Sequence, residues 1–398
     1  MRIVVAGHMV RHPLAGNLFA FFHYVLGLAR LGHEVVYLEE SGWSNSCYDP
    51  ETSSFGDDPA AGLRIVAALF ATHDAAVKIC YVNRESGETF GATRGDIEQL
   101  LEAADLLINI GGVCWLPEFS RCRRLALIDM DPMFTQVGRF GLGAVEKHHV
   151  HFSYGVNIGR PECIVPRTSV QWIATVPPVV AGIWRNSLAS ADAPFTTVAN
   201  WTGYGAVEHE GEMYGQKDEE FLRLISLPAQ TSQKLEIAAS GIPAEMAASL
   251  RTAGWSVKSG GDVSDDHARY QSYLAQSRGE LSAAKNAYVK SHSGWFSDRS
   301  VCYLAAGRPV VLQDTGFTDW LPTGRGILAF TTAVEAAQCL ANVNGDYDEH
   351  RRWATRIAER VFGHEVVLPR LLDYAMAAAT DPASAYSELQ CRATTALD

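Results

Sequence analysis

Two widely separated segments of the chain each run from a buried strand through a glycine loop towards a helix. The first joins a strand at 1–6, a loop at 7–16 and a helix that starts near Leu18. The second joins a strand at 195–200 to a glycine loop at 201–205. Continuous apolar strands that alternate with helices are typical of parallel sheets covered on both faces. The sequence therefore predicts an α/β protein with two Rossmann-like domains that face each other across a cleft, each a parallel sheet flanked by helices.

The chain has 398 residues, which suits two domains better than one core. Helical and strand periodicity is lost at 177–194, and the domain boundary is predicted there. The predicted divisions are a first domain at 1–185, a second at 195–365, and a C-terminal helix and tail at 366–398. The tail is expected to cross back to the first domain and, because its pattern is weak after residue 380, to be frayed.

Composition narrows the class of partner. The formal net charge is −12, which argues against nucleic acid as a main partner. No apolar run is long enough to span a bilayer, and residues 1–12 lack the pattern of a signal peptide. The eight cysteines are scattered without a CxxC pair, which favours reduced thiols. A cytoplasmic protein without an integral membrane segment is predicted.

The segment at 290–317 has the sequence pattern of an anion-binding loop. A polar turn around Gly294 leads into a helix that begins near Ser297, and Gly307 ends this helix before a buried strand at 309–312. A helix start fed by a glycine turn leaves backbone N–H groups and the positive end of the helix dipole free for an anion such as a diphosphate.

The loop after the first strand supplies candidates for proton transfer. His8 and His12 lie there, and a histidine titrates close enough to neutral pH to act as a general base on an acceptor hydroxyl. Gly16 and Asn17 open the first helix, where their backbone N–H groups are candidates for a phosphate or an acceptor. The histidines at 148, 149 and 151 fit no common zinc site, so no metal site is predicted.

These motifs resemble those of GT-B glycosyltransferases, a family built from two Rossmann-like domains. His292-Ser-Gly-Trp-Phe-Ser297 is similar to the His-Cys-Gly-Trp-Asn-Ser opening of the plant-type donor box, and Gly307-Arg-Pro-Val-Val311 resembles its Gly-x-Pro-x-Val. The similarity in element order covers nearly the whole chain. The box's ribose-binding glutamate falls at Ser300, with Asp298 as an alternative, and either Asp314 or Asp319 fits the acidic position that contacts the sugar.

The resemblance implies a role for each matched position. In the inverting plant-type enzymes an aspartate downstream orients the histidine base, and Asp129 or Asp131 occupies the comparable place. The predicted catalytic residues are His12, His8, Asp129 and Asp131. The predicted donor-binding residues are His292, Ser293, Gly294, Trp295, Ser297, Asp298, Arg299, Asp314, Thr315, Gly316, Thr202, Gly203, Gly16 and Asn17.

The resulting hypothesis is a metal-independent glycosyltransferase of natural-product biosynthesis. It would move a sugar from a UDP- or dTDP-sugar in the second domain to a small-molecule acceptor in the first, with inversion by a histidine base and without a tightly bound cofactor. A homodimer is compatible with it. Two alternatives stay open: a nucleotide-sugar 2-epimerase of the same fold, and a catalytically silent binding or activating subunit.

Overall fold

The computed structural model describes residues 1–138, 141–184 and 187–397. Its strands, in chain order, are β1 Arg2–Ala6, β2 Glu34–Glu40, β3 Cys47–Asp49, β4 Ser54–Gly56, β5 Lys78–Val82, β6 Thr89–Phe90, β7 Leu106–Ile110, β8 Leu125–Asp129, β9 Val150–Ser153, β10 Trp172–Ala174, β11 Phe195–Asn200, β12 Val207–His209, β13 Glu212–Tyr214, β14 Leu235–Ser240, β15 Ser256–Ser259, β16 Gly279–Ser282, β17 Val310–Gln313 and β18 Ile327–Phe330.

The helices are α1 Ala15–Arg30, α2 Ala60–Thr72, α3 Arg94–Ala103, α4 Leu142–Val145, α5 Lys217–Leu222, α6 Ala244–Thr252, α7 Gly261–Ser264, α8 His267–Gln276, α9 Asn286–Lys290, α10 Asp298–Ala305, α11 Ala333–Gly345, α12 Tyr347–Arg360, α13 His364–Met376 and α14 Pro382–Leu397.

Two doubly wound sheets organise the chain. The first has the strand order β10-β9-β8-β7-β1-β2-β5-β6 and is parallel except for the β5–β6 pair. The second has the order β15-β14-β11-β16-β17-β18 and is parallel throughout. Their strand order reverses between β1 and β7 and between β11 and β16, where open α/β sheets bind ligands. The predicted fold class is confirmed.

The two halves share an apolar core. One buried cluster runs from Phe22 in α1 to Val301 in α10. Val179, in the segment that joins the two halves, is hydrogen-bonded to the end of the second half. Its N–H donates to Phe362 O at 2.7 Å, and its O accepts from His364 N at 2.9 Å. Helix α13 packs against α1, and α14 packs beside β10. Residue 185, where the first predicted domain ends, lies outside the described residues.

The structure corrects the expectation of a frayed end. Residues 382–397 form α14, and this helix buries Ala385, Leu389 and Ala393 at helical spacing. The pattern was weak because small alanines make much of this face. Strand β16 was also missed, because its buried side chains include Glu280 and Ser282 instead of an apolar run. No helix in the described part of the chain is long and apolar enough to cross a membrane.

Candidate active site

A buried ion pair fixes the loop after β1. Arg11 and Glu39 are both fully buried, and Glu39 accepts from Val10 N at 2.8 Å, Arg11 N at 2.7 Å and Arg11 Nε at 3.3 Å. Arg11 also donates to Ser41 O at 3.3 Å and to Val113 O at 2.7 Å. The guanidinium therefore ties together the loops that follow β1, β2 and β7 at one edge of the sheet.

The two histidines of this loop lie side by side. The rings of His8 and His12 are stacked, with centroids 5.7 Å apart and planes 6° from parallel. Burial, followed by the charge of Arg11, lowers the pKa of both imidazoles, and that of His8 falls well below its usual range. In the described part of the chain, no side chain hydrogen-bonds to either ring. Both imidazoles are therefore neutral at pH 7 and able to accept a proton.

Asp129 lies apart from the histidines. Its carboxylate accepts from Thr135 Oγ1 at 2.6 Å, Gln136 Nε2 at 2.8 Å, Ser153 Oγ at 2.7 Å and Asp131 N at 3.0 Å. Burial raises the pKa of this carboxyl. Since four donors surround it and neither histidine is among them, the predicted His–Asp dyad is not formed with Asp129.

Asp131 contacts the opposite domain. It accepts from Lys285 Nζ at 2.5 Å and from the hydroxyl of Tyr288, and Lys285 Nζ also lies 2.6 Å from the hydroxyl of Tyr204. Burial opposes the charge of Asp131, but the adjacent Lys285 outweighs it and lowers the pKa of the carboxyl. Asp131 thus meets a lysine of the second domain across the cleft and does not orient a histidine.

A second lysine, Lys217, lies close to this group. It is the first residue of α5 and is 9% exposed. Burial, then the charge of Arg299, lowers its pKa well below the usual range, and Lys285 contributes in the same direction. Among the described residues, none accepts a hydrogen bond from its ammonium. The cations Arg299 and Lys285 and the carboxylates of Glu280 and Asp298 therefore all lie within electrostatic range of Lys217, at the carboxyl edge of the second sheet.

The start of α10 completes this side of the cleft. Ser297 is the N-cap residue, as predicted, and makes no capping hydrogen bond through its side chain. Arg299 donates to Glu280 Oε1 at 2.7 Å and to Ser282 Oγ at 2.7 Å, while burial raises the pKa of Asp298. A cavity of about 20 Å³ lies against Ser297, Arg299 and Ser300, and the buried hydroxyl of Ser300 has no partner in the described structure. This space holds about one water and is too small for a diphosphate.

The turn before α10 faces the first domain instead of the helix start. His292 Nε2 lies 2.7 Å from Asp319 Oδ2, and Asn157 Nδ2 donates to the same carboxylate at 3.0 Å. Gly294 has φ +75°, and a Cβ there would lie 2.7 Å from Asn157 Cγ. Ser293 is buried and donates to Tyr288 O at 3.3 Å. His292, Ser293 and Gly294 thus contact Asp319, Tyr288 and Asn157, respectively.

The other predicted donor residues make contacts of different kinds. Trp295 donates to Met130 O at 3.1 Å across the domains, and Thr315 donates to Trp295 O at 2.6 Å. Asp314 accepts from Gly316 N at 2.9 Å and Thr318 Oγ1 at 2.7 Å, so it stabilises its own loop.

Thr202 and Gly203 are exposed in the loop after β11. Gly16 lies in the first turn of α1, and the amide of Asn17 donates to His8 O at 2.6 Å and His12 O at 2.8 Å. The side chain of Asn17 therefore stabilises the conformation of the histidine loop.

Sequence reasoning missed Lys217 and Lys285. The sequence could have indicated Lys217, because it is the first residue of the helix that follows the β11 glycine loop. Lys285 follows β16, and that strand was not recognised. No group of three or more metal-binding side chains is found within the described residues.

A larger cleft opens between the domains. Its volume is about 590 Å³, and it is lined by Leu14, Tyr48 and Ser53 of the first domain. The second domain contributes residues at the carboxyl ends of β14 and β15, among them Ser240 and Ser259. A space of this size at such an edge suits a ligand as large as a nucleotide.

Comparison with known proteins establishes the fold. No protein-family model matches the sequence, and no curated protein does. Solved structures do match over nearly the full chain. AviGT4, a glycosyltransferase involved in avilamycin A biosynthesis, is 13% identical with a TM-score of 0.52, and the match covers 98% of each chain. HepE of Anabaena, in complex with UDP and glucose, is 12% identical with a TM-score of 0.56 over 94% of this chain and 98% of HepE.

An alpha-glucosyltransferase in complex with UDP and a 13-mer DNA is 11% identical with a TM-score of 0.56, and the match covers 95% of this chain and 100% of that chain. At these identities the likeness shows the fold, which is the two-domain GT-B fold. Because one neighbour was crystallised with DNA, the charge argument against nucleic acid stays a prediction.

Proposed function

We propose that the protein is a metal-independent glycosyltransferase that uses a nucleotide-diphosphate sugar. The observation that carries the proposal is the buried ammonium of Lys217, which has no acceptor among the described residues. It lies within electrostatic range of Arg299, whose guanidinium donates to Val198 O of β11 and to Glu280 of β16, the two strands between which the order of the second sheet reverses. These groups lie at the carboxyl edge of the second sheet, in a fold shared with transferases crystallised with UDP. The second domain then binds the donor, a UDP- or dTDP-sugar, and the first binds the acceptor.

The positive groups have a chemical role in this proposal. When the bond between the anomeric carbon and the diphosphate breaks, negative charge develops on the departing phosphate oxygen. The ammonium groups of Lys217 and Lys285 stabilise that charge. A buried lysine with a lowered pKa gains most from such a partner, because the anion replaces the hydration that burial removed.

The first domain supplies the base. We assign His12 this role, with His8 stacked against it, because His12 also contacts Tyr48, which lines the cleft. The acceptor oxygen bonds to the anomeric carbon, its proton passes to an imidazole nitrogen of His12, and the nucleoside diphosphate leaves. A single displacement of this kind inverts the anomeric configuration. Asp131 holds Lys285 in place.

Ligand binding tests the proposal on the intact protein. UDP and dTDP should raise the melting temperature of the wild type, since a ligand at about 100 times its Kd adds roughly 2.7 kcal/mol to the free energy of unfolding. Lys217→Met should weaken binding roughly tenfold, the loss expected for a charge-assisted contact. Lys78→Met, at the opposite edge of the first sheet, is the control.

Turnover separates the alternatives. A labelled UDP- or dTDP-sugar that passes its sugar to an added hydroxyl compound supports the transferase. Conversion of the donor sugar without an acceptor indicates the epimerase, and binding without any turnover indicates a silent subunit. If no nucleotide sugar or diphosphate stabilises the wild type, the donor site does not exist.

A further inference from the structure

A buried carboxylate lies one helical turn after Lys217. Glu220 belongs to α5 and is 1% exposed. A carboxylate is costly to bury unless hydrogen-bond donors surround it. The partners of Glu220 therefore indicate its role.

Two side-chain amides donate to this carboxylate. Asn286 Nδ2 lies 2.7 Å from Glu220 Oε1, and Gln313 Nε2 lies 2.6 Å from Glu220 Oε2. Asn286 is the first residue of α9, Gln313 is the last residue of β17, and both are buried. Glu220 thus joins α5, α9 and β17 at the carboxyl edge of the second sheet.

Asn286 links the two segments that carry the lysines. Its Oδ1 atom accepts from Gly215 N at 3.0 Å, and its own backbone N–H donates to Gln216 O at 3.1 Å. Gly215 and Gln216 come directly before Lys217. Asn286 comes directly after Lys285. The backbone before Lys217 is therefore hydrogen-bonded to the residue that follows Lys285.

Gln313 fixes the other side of Lys285. Its Oε1 atom accepts from Ala284 N at 3.2 Å, while its Nε2 atom donates to Glu220. Ala284 comes directly before Lys285. Hydrogen bonds that meet at Glu220 therefore hold the backbone on both sides of this lysine.

The position of Glu220 requires a group that accepts two hydrogen bonds. Each amide presents its N–H to Glu220, because the oxygen of each amide accepts from a backbone N–H group. A carboxylate has two acceptor oxygens, whereas glutamine has one oxygen and one NH2 group. In Glu220→Gln the NH2 group would face the N–H of Asn286 or of Gln313. That amide would have to turn and would lose its backbone partner.

We propose that Glu220 is a positioning residue for the nucleotide-diphosphate donor. By accepting from two amides, it holds the segments of Lys217 and Lys285 in the arrangement in which both ammonium groups contact one diphosphate. This inference rests on the proposed function, which assigns the lysines to the diphosphate. The charge of Glu220 alone would have the opposite effect, because an anion near the lysines repels the diphosphate.

Isothermal titration of the full chain with UDP tests this role. Glu220→Gln should weaken UDP binding roughly tenfold, although it removes a negative charge, because the lysine segments lose their fixed arrangement. Glu219→Gln is the matched control, since it makes the same change at the preceding, exposed residue of α5. It should leave the affinity within about twofold of the wild type. Thermal unfolding without ligand shows whether each variant folds.

An exchange of the carboxylate and an amide tests the network itself. In the double variant Glu220→Gln, Gln313→Glu, the carboxylate at 313 accepts from Ala284 N and from the amide at 220, whose oxygen accepts from Asn286. Every hydrogen bond is then restored at the same net charge, and UDP affinity should return to within roughly threefold of the wild type. Gln313→Glu alone places two carboxylates side by side and should bind UDP about as weakly as Glu220→Gln.

The outcomes separate this inference from the proposed function. Unchanged or tighter UDP binding by Glu220→Gln overturns the positioning role, and so does a folded exchange variant that binds UDP no better than Glu220→Gln. In either case, weaker binding by Lys217→Met leaves the donor proposal standing. If Glu220→Gln does not fold, Gln313→Ala replaces it, because it removes one of the two amides, and wild-type affinity in that variant overturns the role. If neither UDP nor dTDP binds the wild type, the donor proposal and this inference both fail.

Discussion

At the scale of single residues, the protonation of His12 decides whether the proposed base works. Burial and Arg11 lower its pKa, so the neutral form persists to lower pH than in a free histidine. A base must be unprotonated to accept the proton of the acceptor. The acid limb of kcat/KM is therefore expected below pH 6.5, the ordinary value for histidine.

The pH profile of two variants tests this expectation. His12→Gln should lower kcat/KM by roughly 100-fold or more, the lower end of what a general base contributes, and should remove the acid limb. UDP binding should be unchanged, because the base does not touch the donor diphosphate. His8→Gln should retain activity with a shifted limb, since it loses a ring that contacts His12. An acid limb that persists in His12→Gln would assign it to another group.

At the scale of elements, the turn between α9 and α10 acts as an interdomain contact. Asn157 N donates to Ser293 O at 3.0 Å, and the side chain of Asn157 donates to Gly316 O at 2.9 Å. The sequence favoured this turn as a phosphate site because its glycine and histidine match a donor motif. It could not show that a loop from residue 157 of the first domain covers the same turn.

Gly294→Ala tests this contact. Alanine would have to adopt the positive φ of this position, which is unfavourable for a residue with a Cβ, and its Cβ would lie 2.7 Å from Asn157. We therefore expect a loss of about 2–3 kcal/mol in stability. Gly324→Ala is the matched control, because Gly324 has φ +104° with nothing near its Cβ, and it should cost only about 1 kcal/mol. Denaturant unfolding measures both. Equal losses in the two variants would mean that Asn157 moves away from the added Cβ without a loss of folding free energy.

The same scale shows how far the sequence could go. Helix α10 was predictable because Ser297 precedes it and Gly307 follows it, and β1 and β17 were predictable from continuous apolar residues. Strand β16 was not, because Glu280 in its interior is paired with Arg299, 19 residues later. The position of Lys285, just after β16, could therefore not be predicted, and the site around it is visible only in the structure.

At the scale of the whole molecule, several histidines act as neutral acceptors within the fold. The Nδ1 atoms of His23, His149 and His350 accept from the backbone N–H groups of Val180, Leu125 and Gly326 at 3.0–3.1 Å. Burial lowers the pKa of all three, that of His23 to about 3. Protonation would remove each acceptor and place a charge beside a backbone N–H group.

The pH dependence of unfolding should reveal this property. The pKa of His23 in the folded protein is below its unfolded value near 6.5, so the unfolded chain binds more protons in acid and stability is lost as the pH falls below 6.5. For this one group the loss between pH 6.5 and 5.5 is about 1 kcal/mol. Buried carboxyls such as Asp129, whose pKa is raised, act in the opposite direction, so the comparison has to be made between variants.

His23→Asn keeps an acceptor for Val180 N and should lose about 1 kcal/mol less stability than the wild type over this pH range. His209→Asn, on the β12–β13 hairpin, is the matched change outside the core. Urea unfolding at the two pH values measures the difference, and an identical loss in His23→Asn and the wild type would show that His23 is not a source of the acid sensitivity.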